Sequence, residues 1–253
     1  NNNINPTERE LEDYFEMPIT GDMSTDRVSG VLARGSIMID EPGDKQRFFL
    51  NDLTGPLYIL DKQTKELTTY LNFAGLFPNF TAGFGYAAGM LNFVFEQNGI
   101  FYTLHMENVA DTEGSATPKA GVVSGLNLEG YELTEPIAKP ETVQDTRFAR
   151  ELVIVEWKDE EIGNTTFEGS AREVFRLFVP GLFHPFNEIT FNPVAKAGDA
   201  DWRVMYLGIG DAGTGERPGP MRMHAQRLDT YQGKVLRIIP MLNEHTTTST
   251  ISE

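Results

Sequence analysis

Apolar and polar residues alternate along most of this chain in short runs with the period of a β-strand. Arg47-Phe-Phe-Leu-Asn-Asp-Leu-Thr-Gly55 and Leu57-Tyr-Ile-Leu-Asp61 are separated by a Gly-Pro turn. Glu66-Leu-Thr-Thr-Tyr-Leu71 follows after Lys62-Gln-Thr-Lys65. Three such runs with tight connections predict an antiparallel meander. The unit recurs. Leu91–Phe95 turns at Gln97-Asn-Gly99 into Ile100–His105, and Glu151–Trp157 completes it after a polar insertion. A third copy is predicted through Glu173–Phe178, Glu188–Phe191 and Val204–Gly208. A fourth is expected to open at Lys234–Ile238.

Repeated meanders at a spacing of tens of residues are how β-propeller blades read in sequence. A sandwich also gives many short strands, but less readily this recurring strand–turn–strand unit. The predicted organisation is an N-terminal extension over 1–24, propeller blades over 25–240, and a linker or disordered tail over 241–253, where Thr246-Thr-Thr-Ser-Thr-Ile-Ser252 carries no apolar period. Within the extension, Glu8-Arg-Glu-Leu-Glu-Asp-Tyr-Phe15 could make one or two helical turns. The stretch from about Asn108 to Asp145 has no clear period and reads as a long inter-strand loop, the kind of segment on which binding surfaces form.

Composition narrows the function classes. The 24 glycines and 14 prolines argue for many turns and against a helix bundle. With 21 Lys and Arg against 37 Asp and Glu, the net charge of -16 repels phosphate backbones and argues against nucleic acid as a partner. No apolar run approaches the roughly 18 residues of a membrane span. Cysteine is absent, which removes disulfides and thiolate metal sites. No signal peptide is visible before Asn1-Asn-Asn, which reads like a processed terminus, and a periplasmic or secreted location is the expectation.

Chemistry concentrates near the C-terminal quarter. Gly208-Ile-Gly-Asp-Ala-Gly213 matches a dinucleotide fingerprint, but Thr214-Gly-Glu-Arg-Pro-Gly-Pro220 cannot supply the helix that would receive a pyrophosphate. It therefore reads as a glycine-rich turn. The four histidines, His105, His184, His224 and His245, show no metal spacing, and Asp199-Ala-Asp201 is too short for a calcium loop. His184 stands apart because Pro185 and a following strand would hold its imidazole at a strand mouth. Asp211 ends the next strand, and an antiparallel hairpin would return it to the same edge. A carboxylate there could fix the histidine tautomer, as a general base needs. Asp211 reads equally well as a turn aspartate accepting backbone N–H bonds before Gly213.

His184-Pro-Phe-Asn-Glu-Ile-Thr-Phe-Asn-Pro193, then Gly208–Gly213, then Ala225–Ile238 resemble the pyrroloquinoline quinone (PQQ) dependent soluble sugar dehydrogenases, a family including glucose, aldose-sugar and sorbosone dehydrogenases. Gly89–Tyr102 is similar to the second blade of that family and Phe49–Asp61 to the first. The resemblance implies a six-bladed propeller, of which about three and a half blades are present. It implies PQQ and calcium as cofactors and oxidation of a sugar or other alcohol by hydride transfer to PQQ. His184 would be the catalytic base, Asp211 its supporting carboxylate and Glu216 a cofactor contact. Departures are equally specific. Ala87 replaces the family's glutamine, the loop Asn192–Trp202 is longer, and the calcium-binding loop and later basic cofactor contacts have no counterpart. A second chain or missing segment would have to complete the propeller. Two rivals follow: a non-catalytic propeller that has lost its cofactor and serves as a binding module, and a lactonase-type hydrolase, which lacks the expected carboxylate cluster.

Overall fold

The computed structural model describes residues 12–20, 33–41, 46–81, 90–95, 99–109, 116–141, 148–196, 198–240 and 249–252. Strands β1 (Gly35–Asp40), β2 (Arg47–Asp52), β3 (Pro56–Asp61) and β4 (Leu67–Asn72) pair antiparallel in that order. Each turn has a chemical cause. Asp52 accepts from the Thr54 amide through its side chain, 2.8 Å, and from the Gly55 amide through its carbonyl, 2.9 Å. The Asp61 side chain accepts from the Gln63 and Thr64 amides at 2.8 and 2.7 Å. These Asx-type turns bend the chain back after six residues, and a meander results.

The second sheet is built from β5 (Met90–Phe95), β6 (Ile100–Asn108), β8 (Arg150–Asp159) and β9 (Glu168–Val179), with β7 (Gly125–Asn127) added parallel to the outer edge of β9. The third contains β10 (Phe186–Phe191), β11 (Met205–Ile209), β12 (Val235–Pro240) and β13 (Ser249–Ser252). The leading strands β1, β5 and β10 lie beside one another, as innermost strands of propeller blades do. The fold is all-β and of propeller type, and the described residues form three sheets in sequence. Among the described residues the helices are short: α1 (Phe73–Leu76) and two 3-10 segments, Thr214–Glu216 and Gly219–Gln226. None is long and apolar enough to cross a membrane.

Two cores hold the sheets together. Leu57, Ile59 and Tyr70 of the first sheet meet Phe101, Val153, Val155 and Trp157 of the second. Leu104, Leu152, Ile154 and Leu177 of the second meet Ile189, Leu207, Ile209 and Ile238 of the third. Alternate residues of β8 thus enter opposite cores, and Leu152–Val155 is an unbroken apolar run because both faces of its sheet are covered. Each fully buried side chain of this size contributes about 1.5–3 kcal/mol relative to exposure. The one buried polar edge of Trp157 is satisfied by its Nε1–H donating to Thr103 Oγ1, 2.8 Å.

Several sequence expectations shift. Glu173–Phe178, expected to open a third unit, is the fourth strand of the second sheet. Lys234–Ile238, expected to open a fourth unit, contributes the third strand of the third sheet. Among the described residues three four-strand meanders stand where the pattern predicts three units and the opening of a fourth. The first gains β1 at its start, and the second gains β9 at its end. Ser249–Ser252, inside the stretch read as a linker, pairs with Arg237–Pro240. Residues 12–20 have no helical structure, while 8–11 lie outside the described residues. The supposed loop at 108–145 is held against the second sheet by β7 and by the bridge Ile137–Leu177, and its Tyr131 is buried.

Candidate functional site

The hairpin β10–β11 pairs Phe186 with Ile209, so the residues just outside that pair, His184 and Asp211, meet at one sheet edge. Backbone bonds close the edge. Gly210 N–H donates to Pro185 O, 3.0 Å, and Ala212 N–H donates to His184 O, 3.1 Å. His184 and Ala212 both adopt left-handed backbone, φ 49° and 52°, a conformation costing a side-chain-bearing residue about 1–2 kcal/mol. Gly210 is required beside them, because a Cβ there would stand 2.0 Å from the His184 carbonyl oxygen.

His184 Nδ1 lies 3.6 Å from Asp211 Oδ1 and 4.0 Å from Glu216 Oε1. The first distance is ion-pair range and longer than a hydrogen bond. Exposure differs across the three: 59% for His184, 26% for Asp211 and 60% for Glu216. Asp211 is anchored. Its Oδ1 accepts from Gly213 N–H, 3.1 Å, its Oδ2 from Gly215 N–H, 2.9 Å, and its carbonyl from the Thr214 hydroxyl, 2.7 Å. A Cβ at Gly215 would stand 2.6 Å from Oδ2, so a side chain there would push the carboxylate from its present position. The turn role and the histidine-facing role of Asp211, alternatives from the residues alone, coexist in one side chain. The wrap also turns Glu216, last residue of the 3-10 segment, back toward the imidazole.

Arg217 is a member of the site that the sequence pattern does not mark. Its Nη2 donates to Pro180 O, 3.0 Å, and its guanidinium stands 5.8 Å from the Phe148 ring centre. It ties the loop carrying Asp211 to the segment leading into His184. No periodicity could have marked it, since the contact joins two irregular segments.

No family model and no curated protein sequence matches the chain. Solved structures do resemble it, among them the following three. Two glucose dehydrogenases are 14% and 15% identical over 81% of this chain, with TM-scores of 0.47 and 0.48. The third, an oxidoreductase of the glucose dehydrogenase type from Thermus thermophilus, is 15% identical over 81%, with a TM-score of 0.44. The chain spans 47%, 44% and 43% of their respective lengths, less than half of each. All three TM-scores are below 0.5, and the architecture stands on the chain's own sheet topology.

The cofactors implied by the sequence resemblance fit these residues poorly. Among the described residues no group of three or more His, Asp or Glu side chains is placed to hold a metal ion. PQQ carries three carboxylates, whereas the groups beside His184 are two carboxylates, and Arg217 is engaged with Pro180 and Phe148. Ala87 lies outside the described residues. The site presents an exposed imidazole with a fixed carboxylate 3.6 Å from one ring nitrogen, an arrangement that can serve to move a proton.

Proposed function

We propose that this chain carries the proton-accepting end of a sugar- or alcohol-oxidising dehydrogenase site. The observation that carries the reading is the approach of an anchored Asp211 to Nδ1 of an exposed His184 at a strand mouth. A carboxylate on Nδ1 favours the tautomer with its hydrogen there, leaving Nε2 as the acceptor for a substrate hydroxyl proton. The left-handed backbone of His184 supports the reading, since strain of this kind concentrates where a side chain must be aimed.

A dehydrogenase also needs a hydride acceptor. PQQ with calcium is the acceptor that the sequence resemblance implies, and groups to hold it would have to come from residues beyond those described or from a second chain. An exported, periplasmic or secreted, setting accompanies this reading. Converting His184 to Ala in the full-length protein, supplied with PQQ and calcium, should reduce dye-linked sugar oxidation by at least about 100-fold, the order of a general base's contribution. Unchanged turnover would end the assignment.

A second reading, a propeller that binds without catalysis, is favoured by the poor fit of the cofactors to the described groups. Adding PQQ and calcium separates the two. A bound cofactor raises Tm by mass action and alters the quinone absorbance; no change in either supports the binding module.

A further inference from the structure

We infer that Arg217 is a positioning residue for His184: its guanidinium latches together the two irregular segments that carry the imidazole and Asp211, and thereby sets which ring nitrogen holds the hydrogen. The inference rests on the reading of His184 as a base. At 3.6 Å the two side chains make no hydrogen bond of their own, so their backbones set the approach. His184 lies on the connection from β9 to β10, and Asp211 on the connection from β11 to β12. Near the sheet edge the two connections are tied by the Ala212 amide on the His184 carbonyl, 3.1 Å. Farther out they touch at Gly181, where a Cβ would stand 2.1 Å from Ala212 O. A left-handed His184 costs about 1–2 kcal/mol, and a segment strained in this way relaxes unless its surroundings hold it.

Arg217 supplies that hold. Its amide donates to Thr214 O, 3.1 Å, which closes the turn wrapping Asp211. Its Nη2 donates to Pro180 O, 3.0 Å, just past the end of β9, and its Nη1 reaches Met221 Sδ at 3.9 Å. The guanidinium also stands within cation–π range of the Phe148 ring, 5.8 Å from its centre. One group thus ties the Asp211 loop to the start of the His184 segment and to the residues leading into β8. A planar fork can serve a carbonyl, a thioether and a ring face together, whereas an ammonium is a point donor. If the latch opens, the His184 segment can relax from its strained backbone, and Nδ1 leaves the carboxylate that fixes its hydrogen.

Nitrogen NMR shifts of the neutral His184 ring, assigned by their absence in His184→Ala, read the tautomer without any need for turnover. A unit charge near 4 Å is worth at most about fivefold in water, so in Arg217→Leu the tautomer ratio should move by about twofold to fivefold toward that of N-acetylhistidine. Arg217→Lys, which reaches one acceptor at a time, should fall between Arg217→Leu and the unmodified protein. Ile59→Val, a core truncation on the first sheet costing about 0.5–1.5 kcal/mol, should lower the urea midpoint and leave the ratio alone. An unaltered ratio in Arg217→Leu, or an equal shift in Ile59→Val, would overturn the inference. With PQQ and calcium present, Arg217→Leu should also lower kcat by about tenfold to 100-fold with little change in KM, the scale of a misplacement of about 1 Å. A shifted ratio without oxidation of any sugar would uphold the latch and remove the dehydrogenase reading. Oxidation with the ratio unaltered would do the reverse.

Discussion

At the scale of single residues, the site edge depends on backbone conformations that two side-chain-bearing residues adopt against preference. His184 and Ala212 are left-handed, and each is held by the bond between the Ala212 amide and the His184 carbonyl. Glycine adopts such a backbone freely, whereas alanine bears the same cost as histidine. His184→Gly should thus be more stable than His184→Ala by about 0.5–1 kcal/mol, read from urea midpoints; the opposite order would exclude a left-handed residue here. Gly210→Ala should act in the other direction. Its Cβ would stand 2.0 Å from a backbone oxygen, which cannot rotate away. The hairpin end must then open, at about 1–3 kcal/mol by analogy with overpacking. His184 should also become more reactive to alkylation as its carbonyl releases Ala212.

At the scale of the elements, β6, β8 and β9 are joined by one buried guanidinium. Arg176 is fully buried, with Nε and Nη2 on the two oxygens of Glu173, 2.8 Å each. Its Nη1 reaches Glu107 at 2.8 Å and Glu151 at 2.7 Å. Thr134 donates to Glu173 from its amide and hydroxyl, 3.0 and 2.6 Å, which fastens the long connection after β7 to β9. Arg176→Met would take the shared cation from three buried carboxylates, of which Glu151 alone keeps a lysine, Lys139 at 3.3 Å, and a loss of about 3–5 kcal/mol is expected from denaturant unfolding. Glu107 adds a pH dependence. Burial pushes its carboxyl up, but His105, 3.1 Å away, and Arg176 outweigh burial and hold it below the usual range. A depressed carboxylate stabilises the fold above its unfolded value, about 4.3, and that contribution disappears as pH falls through the folded value. Urea midpoints should therefore fall below about pH 4, and less steeply in Glu107→Gln. This network also explains what the sequence conceals. Glu173 and Arg176 give β9 the look of a strand with a solvated face, so its pattern suits the start of a unit better than the covered end of one. The hairpin that joins His184 to Asp211 is legible, because two apolar runs of matched length fix its register. Glu216 enters on a different basis, by resemblance. Its approach to His184 arises from side-chain bonds that wrap a turn, and these leave no hydrophobic period.

At the scale of the whole molecule, the outer faces of the first and third sheets are finished differently. On the third, Val235 remains 72% exposed. On the first, Phe49, Leu57 and Ile59 face the second sheet, so strand alternation sends Leu50, Tyr58 and Leu60 to the other side, where they are nonetheless buried. The segment 12–20 lies along that side. Met17 and Leu50 both come up to Gly35, the Thr20 hydroxyl donates to Asp52 Oδ2 at 2.7 Å, and the Lys65 ammonium sits 3.3 Å over the Tyr14 ring. Phe15 and Met17 are half-buried while Tyr14, Glu16 and Pro18 are exposed, so the strap lays alternate side chains down on the sheet. Tyr58 reports on this cover. Burial, with a smaller contribution from Asp52, pushes its phenol up to about 12. A raised phenol stabilises the fold below its ordinary value near 10, and the contribution is lost as pH climbs through about 12. Replacing Phe15 and Met17 together by Ala should reduce stability by about 1–3 kcal/mol. It should also move the Tyr58 titration, isolated by difference against Tyr58→Phe in ultraviolet absorbance, down toward about 10. The Tyr58-linked loss of stability between about pH 10 and about 12 should then flatten, because folded and unfolded chains would titrate together. A Tyr58 titration that stays near about 12 in the double variant would show that the sheet buries this ring without the strap.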